Sequence, residues 1–367
     1  MRKIGTISYN IYCNFTNYGS ALQTWALHQA IKRIGYTPVL VDYCPEVLAD
    51  KDPFNPYKGM WDQDEESKRM CELTMPAICE NFIKFDRFYH DRFDRTVKKY
   101  TSGNFCEIGT ENLDGFVCGS DTIFCIDEFK GFDDGYYANY PEMKGKAVSY
   151  AASFGDSHFD DQSYLILNER LQNFKAIGLR ENQMIPYVKE HVDIPVARTI
   201  DPTLLLTSKD YDLIAARKQC DEPYLLLYSR RYDPGMEVYA ERMAKEKGLQ
   251  IVEISLRATN AYKGHIMRYD AGVEEFLSLV KYSSFVITNS FHGLIFAVQY
   301  RRPMVVFTRE QADSKISESL ELMDLKRSKF TTGKEENRDI DYDAVHANID
   351  EARIRSLTFL KMELELI

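Results

Sequence analysis

The sequence predicts an α/β fold of two Rossmann-like halves that face each other across a cleft. Three observations carry that expectation. Apolar runs of strand length alternate with segments of helical periodicity along most of the chain. The alternation restarts in the second half with "PYLLLYSRR". The chain has 367 residues, and single cores rarely grow beyond about 250–300 residues. The expected domains are residues 1–205 and residues 206–367, the second closing on a terminal amphipathic helix.

In the first half, residues 3–9 read as a strand. The polar loop "NIYCNFTNYGS" leads into "ALQTWALHQAIKRIGY", where Leu22, Ala26, Leu27, Ala30, Ile31 and Ile34 share one helical face. Gly35 ends that helix and "TPVLVDY" is a second strand, which completes a β-loop-α-β unit with an expected right-handed crossover. Residues of about 50–105 are denser in acidic and basic side chains, with aromatics in "NFIKFDRFYHDRF", and predict an inserted helix or two. "LDGFVCGSD", "KAVSYAASFG" and "AIGLREN" are a third, fourth and fifth strand, with a helix around "SYLILNERLQNF". "DIPVARTIDPTLLL" closes the half.

The second half repeats the pattern. "PYLLLYSRR" is a strand, "GMEVYAERMAKEKG" a helix and "LQIVEIS" a strand. "VEEFLSLVKYS", "FVITNS", "HGLIFAVQY" and "RPMVVF" then alternate helix, strand, helix, strand. "DAVHANIDEARIRSLTFLKMELE" is the terminal helix.

Composition narrows the partners. The net charge is −10 and the isoelectric point about 5.4, which argues against nucleic acid or an anionic membrane surface. The sequence shows neither a signal-like apolar core nor an apolar run of about 18 residues. The eight cysteines form no CxxC pair and mostly have apolar neighbours, so reduced thiols in a cytoplasmic protein are expected, with no metal site.

In open α/β sheets ligands bind beyond the carboxyl ends of the strands, so the polar residues there are the site candidates. "NYGSALQ" offers Asn17, Gly19 and Ser20 at a helix start. That start could hold an anion on free N–H groups, or be a plain cap with Ser20 as N-cap. It has neither the three glycines of a dinucleotide fingerprint nor a GxxxxGK[ST] loop. "GSDTIF" puts Ser120 and Asp121 at a strand end; Asp121 fits an acid, a base, a hydroxyl-orienting group or an Asx turn. Arg180 of "GLREN" fits an anion-binding fork or an internal ion pair, and Arg230 carries the same two readings. In "TNSFHGLIFAV", Asn289, Ser290, His292 and Gly293 mark a strand end and a helix start. The helix is expected to open at Gly293, with His292 just before it as a proton-transfer residue or as a cap.

"NYGSALQTWAL", "GSDTIF", "SYAASFG", "GLREN", "DPTLLL" and "TNSFHGLIFAV" occur in that order across residues 17–298. Together they resemble the polysaccharide pyruvyl transferase family. The resemblance implies a GT-B-like pair of Rossmann-like domains, with the acceptor on the first and the donor on the second. It implies transfer of the enolpyruvyl unit of phosphoenolpyruvate to sugar hydroxyls of a surface polysaccharide precursor, usually as a cyclic ketal. The acceptor would be lipid-linked or nucleotide-linked, and no metal or redox cofactor is implied. The family's histidine motif falls on Phe291, His292 and Gly293, which makes His292 the first choice for proton transfer and Asp121 the second. Where some forms of the family carry an arginine two positions before the histidine, this chain has Ser290. Arg180 or Arg230 would then hold the donor carboxylate, and Asn17, Gly19, Ser20, Ser120, Asn289, Ser290 and Gly293 would complete the substrate site. The insert at about 50–105 is a candidate for acceptor contact, or simply a solvated helix. Two other functions fit the same features: a nucleotide-sugar glycosyltransferase on this scaffold, and a catalytically silent glycan-binding member, which Ser290 would favour.

Overall fold

A computed structural model describes residues 1–9, 12, 16–56, 64–308, 313–325 and 340–367, with backbone alone at 313–315. Parts of the loop before residue 16 and of the insert, at 57–63, therefore lie outside the described residues. Two wholly parallel sheets organise the fold. The first contains β1 (Lys3–Ile7), β2 (Thr37–Tyr43), β3 (Arg95–Tyr100), β4 (Gly115–Cys118), β5 (Ala147–Ala152), β6 (Phe174–Leu179) and β7 (Val196–Arg198). Their order is β3-β2-β1-β4-β5-β6-β7. The second contains β8 (Tyr224–Tyr228), β9 (Gln250–Ile254), β10 (Ile266–Met267), β11 (Phe285–Thr288) and β12 (Met304–Val306), in the order β10-β9-β8-β11-β12.

Parallel strands covered on both faces need apolar side chains on both faces. The strands that the sequence made plainest obey this rule: "GFVC", "AVSYAA", "YLLLY" and "FVIT" are buried at every position. β3 was not foreseen, because it lies in the stretch read as helical. It pairs with β2 as an edge strand, burying only Thr96 and Tyr100 fully, so its "RTVKKY" carries the lysines and exposed Val97 typical of an unpaired edge.

The helices are α1 (Tyr18–Arg33), α2 (Glu65–Arg92), α3 (Ile126–Phe129), α4 (Asp161–Leu171), α5 (Ile185–His191), α6 (Ser208–Tyr211), α7 (Pro234–Lys247), α8 (Val273–Lys281), α9 (Phe291–Gln299), α10 (Asp313–Leu322) and α11 (Tyr342–Glu365). α1 is buried without a break from Tyr18 to His28, because it lies between the first sheet and the helices α8 and α9 of the second half. Its Tyr18 stacks on Phe276 of α8 at 4.4 Å and donates to the Ala271 carbonyl at 2.6 Å. α2 crosses to the second half as well: Lys84 pairs with Asp270 and Glu275, and Arg92 with Glu274. The part of the insert that forms α2 is thus a packed strut, burying Phe85, Phe88 and Tyr89, rather than a solvated helix. α11 returns to the first half, where Ile200 N donates to Ser356 Oγ and Arg353 Nε donates to the Leu204 carbonyl.

His28 is buried in α1 against Thr6 at 2.6 Å, and burial helped by the charge of Lys32 pushes its pKa down to about 3. It is a neutral core histidine. Seven described cysteines are free thiols, with Cys44, Cys71, Cys118 and Cys125 buried and Cys106 exposed. No described helix is long and apolar enough to cross a membrane.

Strand order reverses between β1 and β4 in the first sheet and between β8 and β11 in the second. At such switch points the crossovers leave a crevice at the carboxyl ends. Ser8 and residues 119–121 follow the first pair; residues 229–231 and 289–292 follow the second.

Candidate active site

The two switch points meet at α1. Asn17 is the N-cap of that helix, its Oδ1 accepting from Gly19 N at 2.9 Å and Ser20 N at 3.3 Å. The helix therefore opens one residue earlier than expected, Ser20 lies inside it, and these two N–H groups are already used. Gly19 serves another end: a Cβ there would overlap the imidazole of His292, so only glycine lets the α9 histidine lie against α1.

Ser290, not His292, caps α9, accepting from Gly293 N at 3.3 Å. The helix opens at Phe291, which places His292 within its first turn. Gly293 packs against Thr288 and Tyr228, where a side chain would collide. Asn289 ties the two loops of the second sheet together: its Oδ1 accepts from Arg230 N at 2.9 Å and its Nδ2 donates to the Arg231 carbonyl at 2.8 Å. Arg230 thus sits at the end of β8, its charge partly offsetting the rise that burial gives the Tyr269 phenol.

Arg180 is the hub. It leaves the end of β6, is 8% exposed, and its Nη2 lies 2.8 Å from Asp201 Oδ2 and donates to Ser120 Oγ at 3.0 Å. Its Nη1 is 3.7 Å from Asp121 Oδ1, and its guanidinium lies 5.4 Å from the centre of the Phe291 ring. Burial works against its charge, but Asp201, Asp121 and Glu181 outweigh burial and raise its pKa further. Asp121, at φ 77°, also accepts from the neighbouring Thr122 N at 3.0 Å, so its carboxylate is held both by its own loop and by Arg180. Ser120 is fixed from behind by Gln23, whose Oε1 accepts from Ser120 N and Oγ at 3.1 and 2.7 Å while its Nε2 donates to Ser8.

Asp201 was not among the expected site residues, and it links the two halves. It is 2% exposed; Oδ1 accepts from Thr203 N and Oγ1 at 2.9 and 2.6 Å. Oδ2 faces Arg180 and also lies 3.5 Å from His292 Nε2. Burial pushes its pKa up, yet Arg180, His292 and the Thr203 bond prevail and hold the carboxyl well below its usual range. The only sequence signal was its place in "DPTLLL", directly after β7.

Ser20 Oγ and Arg180 Nε are buried and make no hydrogen bond among the described residues, while His292 Nε2 has only the long 3.5 Å approach to Asp201 Oδ2 there. Buried polar atoms are nearly always satisfied, so these groups beside one arginine–aspartate–histidine chain at a switch point make the seam the candidate binding centre. A cation, a carboxylate and an imidazole gathered at one crevice can hold an anion and move a proton.

A family model for polysaccharide pyruvyl transferases matches residues 17–311. The chain belongs to the polysaccharide pyruvyl transferase family. A search of curated protein sequences finds no match. Among solved structures, the fold is similar to the S. aureus MnaA–UDP co-structure, at 16% identity and TM-score 0.51, covering 100% of this chain and 98% of that one. It is equally similar to a putative UDP-N-acetylglucosamine 2-epimerase from Listeria monocytogenes, at 15% identity and TM-score 0.51, again covering 100% and 98%. The fold of this family member is therefore GT-B-like, with two parallel-sheet α/β halves and a C-terminal helix.

Proposed function

We propose that the chain transfers the enolpyruvyl unit of phosphoenolpyruvate to sugar hydroxyls of a surface polysaccharide precursor, forming a ketal. The single observation that supports this most is the Arg180–Asp201–His292 chain with its unsatisfied buried atoms. In this reading C3 of the donor takes a proton from His292, and C2 becomes cation-like. A sugar hydroxyl attacks C2 and returns its proton to His292. The phosphate then leaves with a proton from His292, and a second hydroxyl closes the ketal and returns its own proton to His292. One donor and one diol thus give one ketal and one phosphate.

Each residue has a physical task in that sequence. Asp201 offsets the positive charge that His292 carries when protonated. Arg180, released from water and locked by Ser120 and Asp201, presents Nε to the donor carboxylate or phosphate. Arg180 thereby takes the place of the arginine absent at Ser290. Asp121 at the rim orients an acceptor hydroxyl. The proposal places the donor between Arg180 of the first half and His292 of the second, the acceptor against residues 1–205, and the reaction in the cytoplasm, with no metal or redox cofactor taking part.

Thermal denaturation with single ligands tests the donor. Phosphoenolpyruvate at about a hundred times its Kd is expected to add about 2.7 kcal/mol to stability, a rise of several °C in Tm. UDP-sugars at equal concentration are expected to leave Tm unchanged. Stabilisation by a UDP-sugar alone would return the chain to the glycosyltransferase reading; no response to either would favour a silent glycan-binding member.

A further inference from the structure

Next to the Arg180–Asp201–His292 chain runs an open cleft whose lining includes Arg180, Glu181, Arg198, Phe291, Glu318 and Leu322. One carboxylate crosses it. Glu318 projects from α10, and a single oxygen, Oε2, accepts from the backbone N–H of Asn182 at 3.3 Å and from Arg198 Nη2 at 3.2 Å. Both donors belong to the first half: Asn182 follows β6 just after Arg180, and Arg198 ends β7.

A guanidinium and a backbone amide converging on one oxygen form a donor set suited to any carboxylate or phosphate. The hold on Glu318 is weak. Both bonds are long for charge-assisted ones, and the side chains of Arg198 and Glu318 remain 37% and 21% exposed, where ion pairs contribute little. Arg180 Nε, buried and without a hydrogen bond among the described residues, belongs to a residue lining the same cleft. Glu181 and Asp201 line it too, Asp201 already paired with Arg180, so with Glu318 in place three carboxylates oppose the entry of an anion.

We infer that Glu318 is an internal stand-in for a substrate anion: its carboxylate fills a subsite made by Arg198 and the Asn182 amide, and an incoming carboxylate or phosphate displaces it. The inference rests on the reading of the site as one for an anionic donor, and it assigns that donor a second anchoring point beyond Arg180. Glu318 then sets donor affinity by competition, because the subsite opens only when α10 gives up its carboxylate.

Calorimetric titration of phosphoenolpyruvate, inorganic phosphate and pyruvate into the wild-type chain, Glu318→Gln, Arg198→Gln and the double variant tests this. Glu318→Gln is expected to tighten phosphoenolpyruvate and one of the two simple anions about tenfold, through loss of a like charge at the subsite. Arg198→Gln is expected to weaken the same ligands and to cancel the gain in the double variant. A gain for phosphate assigns the subsite to the donor phosphate; a gain for pyruvate assigns it to the carboxylate. If phosphoenolpyruvate binds but Glu318→Gln tightens nothing, the inference is overturned and the donor reading stands. If a simple anion tightens while phosphoenolpyruvate binds no variant, the subsite stands and the donor reading falls.

Discussion

Asp201→Ala is expected to lower the stability of the folded chain by about 3–5 kcal/mol at neutral pH, the range for removing one partner of a buried ion pair. The carboxylate is 2% exposed and is the closest counter-charge of Arg180, which is itself 8% exposed. Asp121 stands 3.7 Å from the guanidinium, beyond hydrogen-bond distance, and offsets only part of the loss. Asp201→Asn retains an oxygen for Thr203 while losing the charge, so it separates the electrostatic loss from the lost turn. The dependence on pH has a defined sign. The folded-state pKa lies below the unfolded value, so the contribution of Asp201 is fully present above about pH 4 and is lost as pH falls through the folded pKa. Urea denaturation should show a constant gap between wild type and variant from pH 5 to 8, narrowing below about pH 4. A loss under about 1 kcal/mol at pH 7 would mean that Arg180 is solvated, contrary to its burial.

His292→Ala is expected to reduce kcat by about 10²–10⁴, the usual contribution of a positioned acid–base group, while the chain remains folded. The imidazole caps nothing, since Ser290 holds the start of α9, so its removal does not undo the helix. Gly19→Ala approaches the same group from the other side. Its new methyl needs the space of the His292 ring, and it should lower turnover without replacing any ionisable residue. A His292→Ala chain with unchanged turnover would assign the histidine to packing between α1 and α9.

The sequence revealed the strand–helix alternation because buried parallel strands are apolar on both faces, and "YLLLY" or "FVIT" has few other uses. It hid β3, whose lysines and exposed Val97 suit an edge, and β10, which is two residues long. The sequence singled out five strand-end clusters, and four of them supply residues to the seam at α1: Gly19 and Ser20, Ser120 and Asp121, Arg180, and His292. Asn17, Ser290 and Asn289 proved to have clear local work as caps and loop ties, a role that their residue types equally allow. Asp201 was not legible. An aspartate before proline reads as a turn, and its two charged partners are 21 and 91 positions away, brought to it only by the order of strands and the packing of α9 on α1. Gln23 was hidden for a similar reason, as a polar residue on a helix face that is exposed in most proteins and here is buried between the two halves.

The central claim is that the Arg180–Asp201–His292 seam binds phosphoenolpyruvate for proton transfer. A crystal structure of the chain with phosphoenolpyruvate tests it most directly. The expected result is a donor carboxylate or phosphate oxygen within hydrogen-bond distance of Arg180 Nε, with the methylene carbon facing His292. Phosphoenolpyruvate bound away from this seam, or a UDP-sugar occupying it in preference, would contradict the claim.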